Sequence, residues 1–230
     1  MKLDQTQYDT IKQQIKHIHP FINNTELAYE IILQLILEGH LQPSEKLQQE
    51  VFASFFGMSR TPIREALIRL EQDRFIEKND SNGYHVCPLH LKDYIQFCEF
   101  RTILETQAAF QAARNITTTE LKELADNITA LKAAIEENNY YQIMHLDLDF
   151  HMMICKASRN DYIYKTMLQY RNKLIFNMKM AVTGYNFHAL YNKHLRIYKA
   201  IRATDEYTAQ QAMQGHLQVN TNRILNTLPE

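Results

Sequence analysis

Residues that force tight turns are scarce in this chain. Its 230 residues include five glycines and five prolines, against a combined average of roughly 12%. Sandwiches and barrels with many strands need those residues at their turns, so their scarcity argues against such folds. There is also no excess of one charge: the formal net charge is −1, and 45% of residues are hydrophobic, which argues against a disordered chain. No run approaches the roughly 18 apolar residues of a membrane helix. The opening Met1-Lys2-Leu3-Asp4-Gln5 has an early acid and no apolar stretch, so no secretory leader is expected. The three cysteines, Cys87, Cys98 and Cys155, are odd in number and widely spaced, which suits free thiols in a reducing cytoplasm. What remains is a mostly α, cytoplasmic protein, long enough for one large domain or two ordinary ones.

The few turn residues cluster. Gly39, Pro43, Gly57, Pro62, Gly83 and Pro88 fall within fifty residues, whereas residues 89–230 contain only Gly184, Gly215 and Pro229. This spacing predicts an N-terminal helical extension at 1–22, a short turn-rich domain at 23–88, and a long all-helical domain at 89–230. In the extension, Tyr8, Ile11, Ile15, Ile18 and Ile22 share a helix face, which suits docking on the same chain or on a partner. In the second segment, a helix from Thr25 to Leu37 ends at Gly39. Leu47, Phe52, Ala53 and Phe56 form a short helical face broken by Gly57. A third helix starts with Thr61 as cap and Pro62 in its first position, and buries Ile63, Ala66, Leu67 and Leu70. Residues 74–77 and 84–86 read as two strands around a polar loop. Three helices and a hairpin make a winged helix-turn-helix.

In that plan the third helix enters the DNA major groove by its N-terminus. Ser59, Arg60, Thr61 and Arg64 stand there, with Arg60 and Arg64 on one face, and arginine presents the fork that fits guanine O6 and N7. Ser59, Thr61 and the first amides suit phosphate oxygens. Against this, residues 23–88 hold six basic and ten acidic side chains, so a protein-binding role stays open. Arg60, Arg64 and Arg69 nevertheless cluster on the third helix.

After Pro88 the periodicity is helical throughout. Thr117 and Glu120 have capping-box spacing ahead of the stripe Leu121, Leu124, Ile128, Leu131 and Ile135. One helix is expected from Asp161 to Thr183, ended by Gly184. The preceding helix has an apolar face of Tyr140, Met144, Leu148, Ile154 and Cys155 that also carries Asp147 and His151, four apart. His194 interrupts the face of Leu190, Ile197 and Ile201, and His216 interrupts that of Ala209, Ala212, Met213 and Val219. His145 and His188 point elsewhere. One carboxylate and three imidazoles directed inward form a set that suits Zn²⁺, Ni²⁺, Mn²⁺ or Fe²⁺ with coordination positions left open. Three unrelated core histidines, with Asp147 paired to a base, remain the alternative.

The residues Gly39-His40-Leu41-Gln42-Pro43-Ser44-Glu45-Lys46-Leu47, Phe56-Gly57-Met58-Ser59-Arg60-Thr61-Pro62-Ile63-Arg64-Glu65-Ala66-Leu67, Leu70-Glu71 and Phe75-Ile76 closely resemble the gluconate-repressor (GntR) family of bacterial transcription regulators. The second half, with Arg101 and Glu105, Leu146-Asp147-x-x-Phe150-His151, Asn160, His194 and His216, resembles the FCD ligand domain of the FadR-like subgroup. The resemblance implies that Arg60 and Arg64 read operator bases, that Ser59 and Thr61 hold the backbone, and that Asn82 and Gly83 form the wing tip. It implies Asp147, His151, His194 and His216 as metal ligands. Glu50 stands where several relatives have arginine, which puts a contact there in doubt. The implied function is a regulator, expected to be a repressor, acting as a homodimer on a palindromic double-stranded operator. A small carboxylate effector would bind near the metal with Arg101 as its bidentate partner. A metal sensor and an all-α metalloenzyme are the rivals. No group is evidently placed as a general base, so no catalytic residue is assigned. Gly215 fits helix poorly and precedes His216, which suggests a close backbone approach there.

Overall fold

The computed structural model describes residues 4–79, 83–180 and 186–227, with side chains given to residue 179 of the second stretch and 218 of the third. Two compact units result, one up to Leu89 and the other from His90 onward.

The first unit contains α1 (Gln5–Ile18), α2 (Asn24–Glu38), β1 (Lys46–Leu47), α3 (Gln49–Phe56), α4 (Arg60–Gln72), β2 (Ile76–Lys78) and β3 (Tyr84–Val86). Asp4 and Asn23 cap the first two helices with their side chains. Gly39 and Gly57 end α2 and α3 in the left-handed region, at φ 82° and 63°, where a side chain would be strained. The core is the apolar face of α2 (Leu27, Ile31, Ile32, Leu35, Ile36) against the buried Ile63, Ala66, Leu67 and Leu70 face of α4, on which α3 with its buried Phe52 also packs.

Three details depart from the sequence reading. The sheet has three strands in the order β1-β3-β2, because Lys46 and Leu47 pair with His85 and Tyr84. Arg74 lies in the left-handed region at φ 58° and belongs to the turn after α4, so β2 starts only at Ile76. The apolar face of α1 ends at Ile15, since the helix stops before Pro20 and Ile18 is exposed.

The extension docks on its own unit. Tyr8, Ile11 and Ile15 are buried. The Tyr8 ring stacks on Phe56 at 5.0 Å and meets Phe55 edge-on at 5.3 Å. Its hydroxyl donates to the carbonyl of Phe56 at 3.2 Å and accepts from Lys12 Nζ at 3.0 Å. That carbonyl is one of the orphan acceptors at the end of α3.

The second unit is all helix among the described residues: α5 (Leu91–Asn115), α6 (Thr118–Glu136), α7 (Tyr140–Ala157), α8 (Asp161–Gln169), α9 (Arg171–Met180), α10 (Phe187–Arg202) and α11 (Glu206–Thr227). α5 packs on α7, α10 and α11, and α6 packs on α7 and α10. Thr117 and Glu120 form the full capping box of α6. The single helix expected from Asp161 is two helices. It breaks at Tyr170, whose ring packs on Phe97 and Phe100 of α5, with no glycine or proline at the break. The expected stop at Gly184 lies outside the described residues. Tyr140, expected on the inner face of α7, is exposed in its first turn. His188 is exposed as expected, but His145 is half-buried against Tyr141.

Candidate functional site

The start of α4 offers the first site. Ser59, not Thr61, is its N-cap, so Pro62 is the third helical residue; it is tolerated there because the first four amides have no intrahelical acceptor. The Ser59 hydroxyl makes no capping bond. Ser59, Arg60, Thr61 and Arg64 are all exposed, while Ile63, Ala66 and Leu67 beneath them are buried. The edge therefore presents two guanidinium groups, two hydroxyls and free amides to one side, a composition suited to base edges and phosphates. Arg69 does not join them. It donates to Glu26 at 2.7 Å and lies over the Tyr29 ring, where it holds α4 to α2. Arg60 pairs with Glu50 of α3 at 3.7 Å. In the hairpin, Asn79 and Gly83 close on each other through Asn79 N–H to Gly83 O and Gly83 N–H to Asn79 Oδ1, both 3.1 Å. Asn82, the other expected wing-tip residue, lies outside the described residues.

The second site is buried. α7 brings Asp147 and His151 to one face, α10 contributes His194 and α11 contributes His216; all four are buried, and one ligand atom from each lies within 4.8 Å of every other. Asp147 Oδ1 is 3.0 Å from His194 Nε2 and 3.9 Å from His151 Nε2, and the Nε2 atoms of His151 and His216 are 3.1 Å apart. Phe150 fixes the His194 ring by stacking on it at 4.0 Å and 11°.

α5 completes the surroundings. Arg101 donates from Nε to Glu105 Oε1 at 2.6 Å, and Glu105 Oε2 is in contact with His151 Nδ1. The Arg101–Glu105 pair, which spacing alone would place at the surface, is buried. Sequence reasoning missed the roles of Phe150 and Glu105 toward the histidines. Phe150 adjoins His151 in the sequence, but nothing in the spacing signals its ring on His194.

Electrostatics favour the ligand forms of Asp147, His194 and His216. Burial pushes the His194 imidazolium down in pKa, only partly offset by Asp147. Burial and the neighbouring His194, His151 and Arg101 push His216 further down. Against the upward push of burial, His194, His151 and Arg101 hold Asp147 below the usual carboxylate range. Against burial as well, Arg101 and His151 bring Glu105 to about 2. Burial raises the thiol of Cys155, one turn past His151, so a thiolate ligand is disfavoured.

The donor set fits a divalent ion. Asp147 Oδ1 and His194 Nε2 lie 3.0 Å apart, yet neither has a well-aligned hydrogen bond to the other or to any described group. Buried polar atoms without partners are costly. Together with the close approach of His151 Nε2 and His216 Nε2, this convergence is one that a shared ion would satisfy. Three imidazoles and a carboxylate, without thiolate, suit Zn²⁺, Ni²⁺, Mn²⁺ or Fe²⁺.

A winged helix-turn-helix with an exposed arginine edge, joined in one chain to a helical domain built around a buried Asp/His cluster, defines a class: DNA-binding transcription regulators. Comparison with known proteins agrees. Residues 24–86 match the model of the bacterial regulatory proteins of the gntR family, and residues 96–219, more than half the chain, match the FCD domain. The chain belongs to the GntR family of bacterial transcription regulators and carries an FCD domain. Family and relatives are regulators and not enzymes. Over 205 residues it is 27% identical to the uncharacterized HTH-type transcriptional regulator YdhC of Bacillus subtilis, covering 88% of this chain and 91% of that protein. It is 24% identical to the HTH-type transcriptional repressor RspR of Escherichia coli, covering 91% of each. The fold matches a putative GntR regulator from Rhodococcus (TM-score 0.74, 19% identity, 89% and 99% of the two chains) and E. coli McbR/YncC (TM-score 0.70, 21%, 90% and 99%). No described helix is long and apolar enough to cross a membrane.

Proposed function

We propose that this regulator is a cytoplasmic, homodimeric repressor whose operator binding is set by a small organic acid bound beside a divalent metal in the second domain. Residues 23–88 read the operator, with residues 1–22 as their buttress, and residues 89–230 hold the metal and the effector and carry the dimer contact. Ser59 and Thr61 engage the backbone, Arg60 and Arg64 the base edges, and Asn82 and Gly83 the minor groove. Asp147, His151, His194 and His216 hold the metal, which would offer an open coordination position to a carboxylate oxygen. Arg101 stands beside that cluster as a buried cation. Glu105 takes its Nε, so an effector carboxylate would meet the remaining guanidinium donors. The acid acts by favouring one arrangement of the two reading domains over another, passed through the Cys87–Leu91 linker.

The convergence of four buried ligand atoms within 4.8 Å of one another carries the metal part of this reading. Its test is elemental analysis of purified wild type and of His194→Ala and His216→Ala. Each variant should lose most of its bound metal while keeping its helical circular dichroism. Unchanged metal content in both removes the site. Operator binding by holo and chelated protein then separates effector control from metal sensing. If stripping the metal alone reproduces the full change in DNA affinity, the ion is itself the signal.

A further inference from the structure

The exposed start of α4 presents more than two arginines. Glu50, in the first turn of α3, places Oε1 3.7 Å from Nη1 of Arg60, and both side chains are well exposed, at 62% and 72%. The pair is held from behind. Gln49, the neighbour of Glu50, donates from Nε2 to the backbone carbonyl of Arg60 at 3.2 Å, which ties the start of α3 to the start of α4. Whatever Arg60 touches, Glu50 stands beside. An exposed ion pair contributes little to stability, and the small gain of an acid in the first turn of α3 does not require that acid to stand beside Arg60. A DNA backbone contact does not require it either, because a carboxylate is repelled by phosphate.

One target fits both charges. In the major groove a G·C pair presents two acceptors, guanine N7 and O6, next to one donor, the cytosine N4 amine. A guanidinium beside a carboxylate is the complement of that edge. We propose that Arg60 and Glu50 read one G·C base pair together, Arg60 taking guanine and Glu50 taking the N4 amine of cytosine. This rests on Arg60 being a base reader. The carboxylate then works as a filter: with A·T in the same orientation it would face the O4 acceptor of thymine, and with C·G it would face the acceptors of guanine. Specificity at this position is gained while general attraction to DNA is reduced, in keeping with the acidic balance of residues 23–88.

The test is selection from a randomised duplex pool by the full-length wild type and by Glu50→Ala, Glu50→Gln and Arg60→Ala, followed by affinities for selected and random duplexes at fixed salt. The wild type should select a G·C pair at a fixed place in each half-site, and Arg60→Ala should lose it. Glu50→Ala and Glu50→Gln should bind random duplex more tightly. They should also lose about tenfold of the discrimination at that same position and keep the rest of the motif. If both Glu50 variants select the wild-type motif, the paired reading is overturned, even if affinity rises uniformly, because the carboxylate is then only a charge brake. If Arg60→Ala selects the wild-type motif, Arg60 is no base reader and the reading beneath this proposal fails as well. A wild type that selects no motif removes DNA reading by this edge altogether.

Discussion

At the scale of single residues, the second domain depends on charges that have left water. Glu105 is fully buried and tolerates this only because Arg101 meets one carboxylate oxygen and His151 the other. An imidazole that gives Nε2 to a metal carries its proton on Nδ1, and Glu105 is the acceptor placed against that atom. Glu105→Ala should therefore cost about 3–5 kcal/mol in denaturant unfolding, since it leaves Arg101 unpaired. It should also weaken metal binding about 10–100-fold in competition with a chelator. Glu105→Gln, which keeps an acceptor for His151, should lose less metal affinity than the alanine variant, and equal losses would rule out this role. The members of the Asp/His cluster were legible in the sequence, because each interrupts an apolar face at helical spacing. The contact of Glu105 with His151 was not, because it exists only once α5 packs on α7. Arg69 was misread for a similar reason: its partners, Glu26 and Tyr29, belong to another helix.

Helices and their ends make up the next scale. The capping residues of α6 were visible as a motif, but one of them does further work. Arg159, in the turn after α7, clamps Glu120 with two bonds of 2.7 and 2.6 Å. That clamp, against some desolvation, together with the Thr117 bonds, holds Glu120 at about 2, below its ordinary value of 4.5. A lowered carboxylate pKa stabilises the fold fully above about pH 4.5, and that stability is lost as pH falls toward 2. Melting temperature followed from pH 6 downward should show this loss in wild type and a shallower slope in Glu120→Gln. Gly215 is a simpler case. A Cβ built there meets nothing within 4 Å, so a close backbone approach is not the reason for this glycine. Gly215→Ala should then stabilise the domain by about 1 kcal/mol in chemical denaturation, the ordinary helix-propensity gain. What the sequence hid at this scale was short or set by packing. Two-residue β1 is too brief for a period, and the break at Tyr170 follows from aromatic neighbours on α5.

For the molecule as a whole, composition and punctuation already indicated a winged domain followed by a helical one, because turn residues are local and need no partner to be read. The assembly of the Asp/His cluster from α7, α10 and α11 joins positions 147 to 216, and such a link can only be guessed from three separate faces. An ion bound there stabilises the folded state by mass action. At a hundredfold excess over its dissociation constant the gain is about 2.7 kcal/mol. Chelation should therefore lower the melting temperature of the second unit by several degrees and leave that of the first unit unchanged; equal shifts in both would argue against a site confined to the second. The first unit carries a consequence of a different kind. Tyr8 covers the Phe55 and Phe56 rings and supplies the donor for the last carbonyl of α3. A DNA-binding fragment trimmed to residues 24–86, the stretch the family model covers, would uncover those rings and strand that carbonyl. Its yield and solubility should suffer for reasons unrelated to DNA, and restoring the first helix is the expected cure.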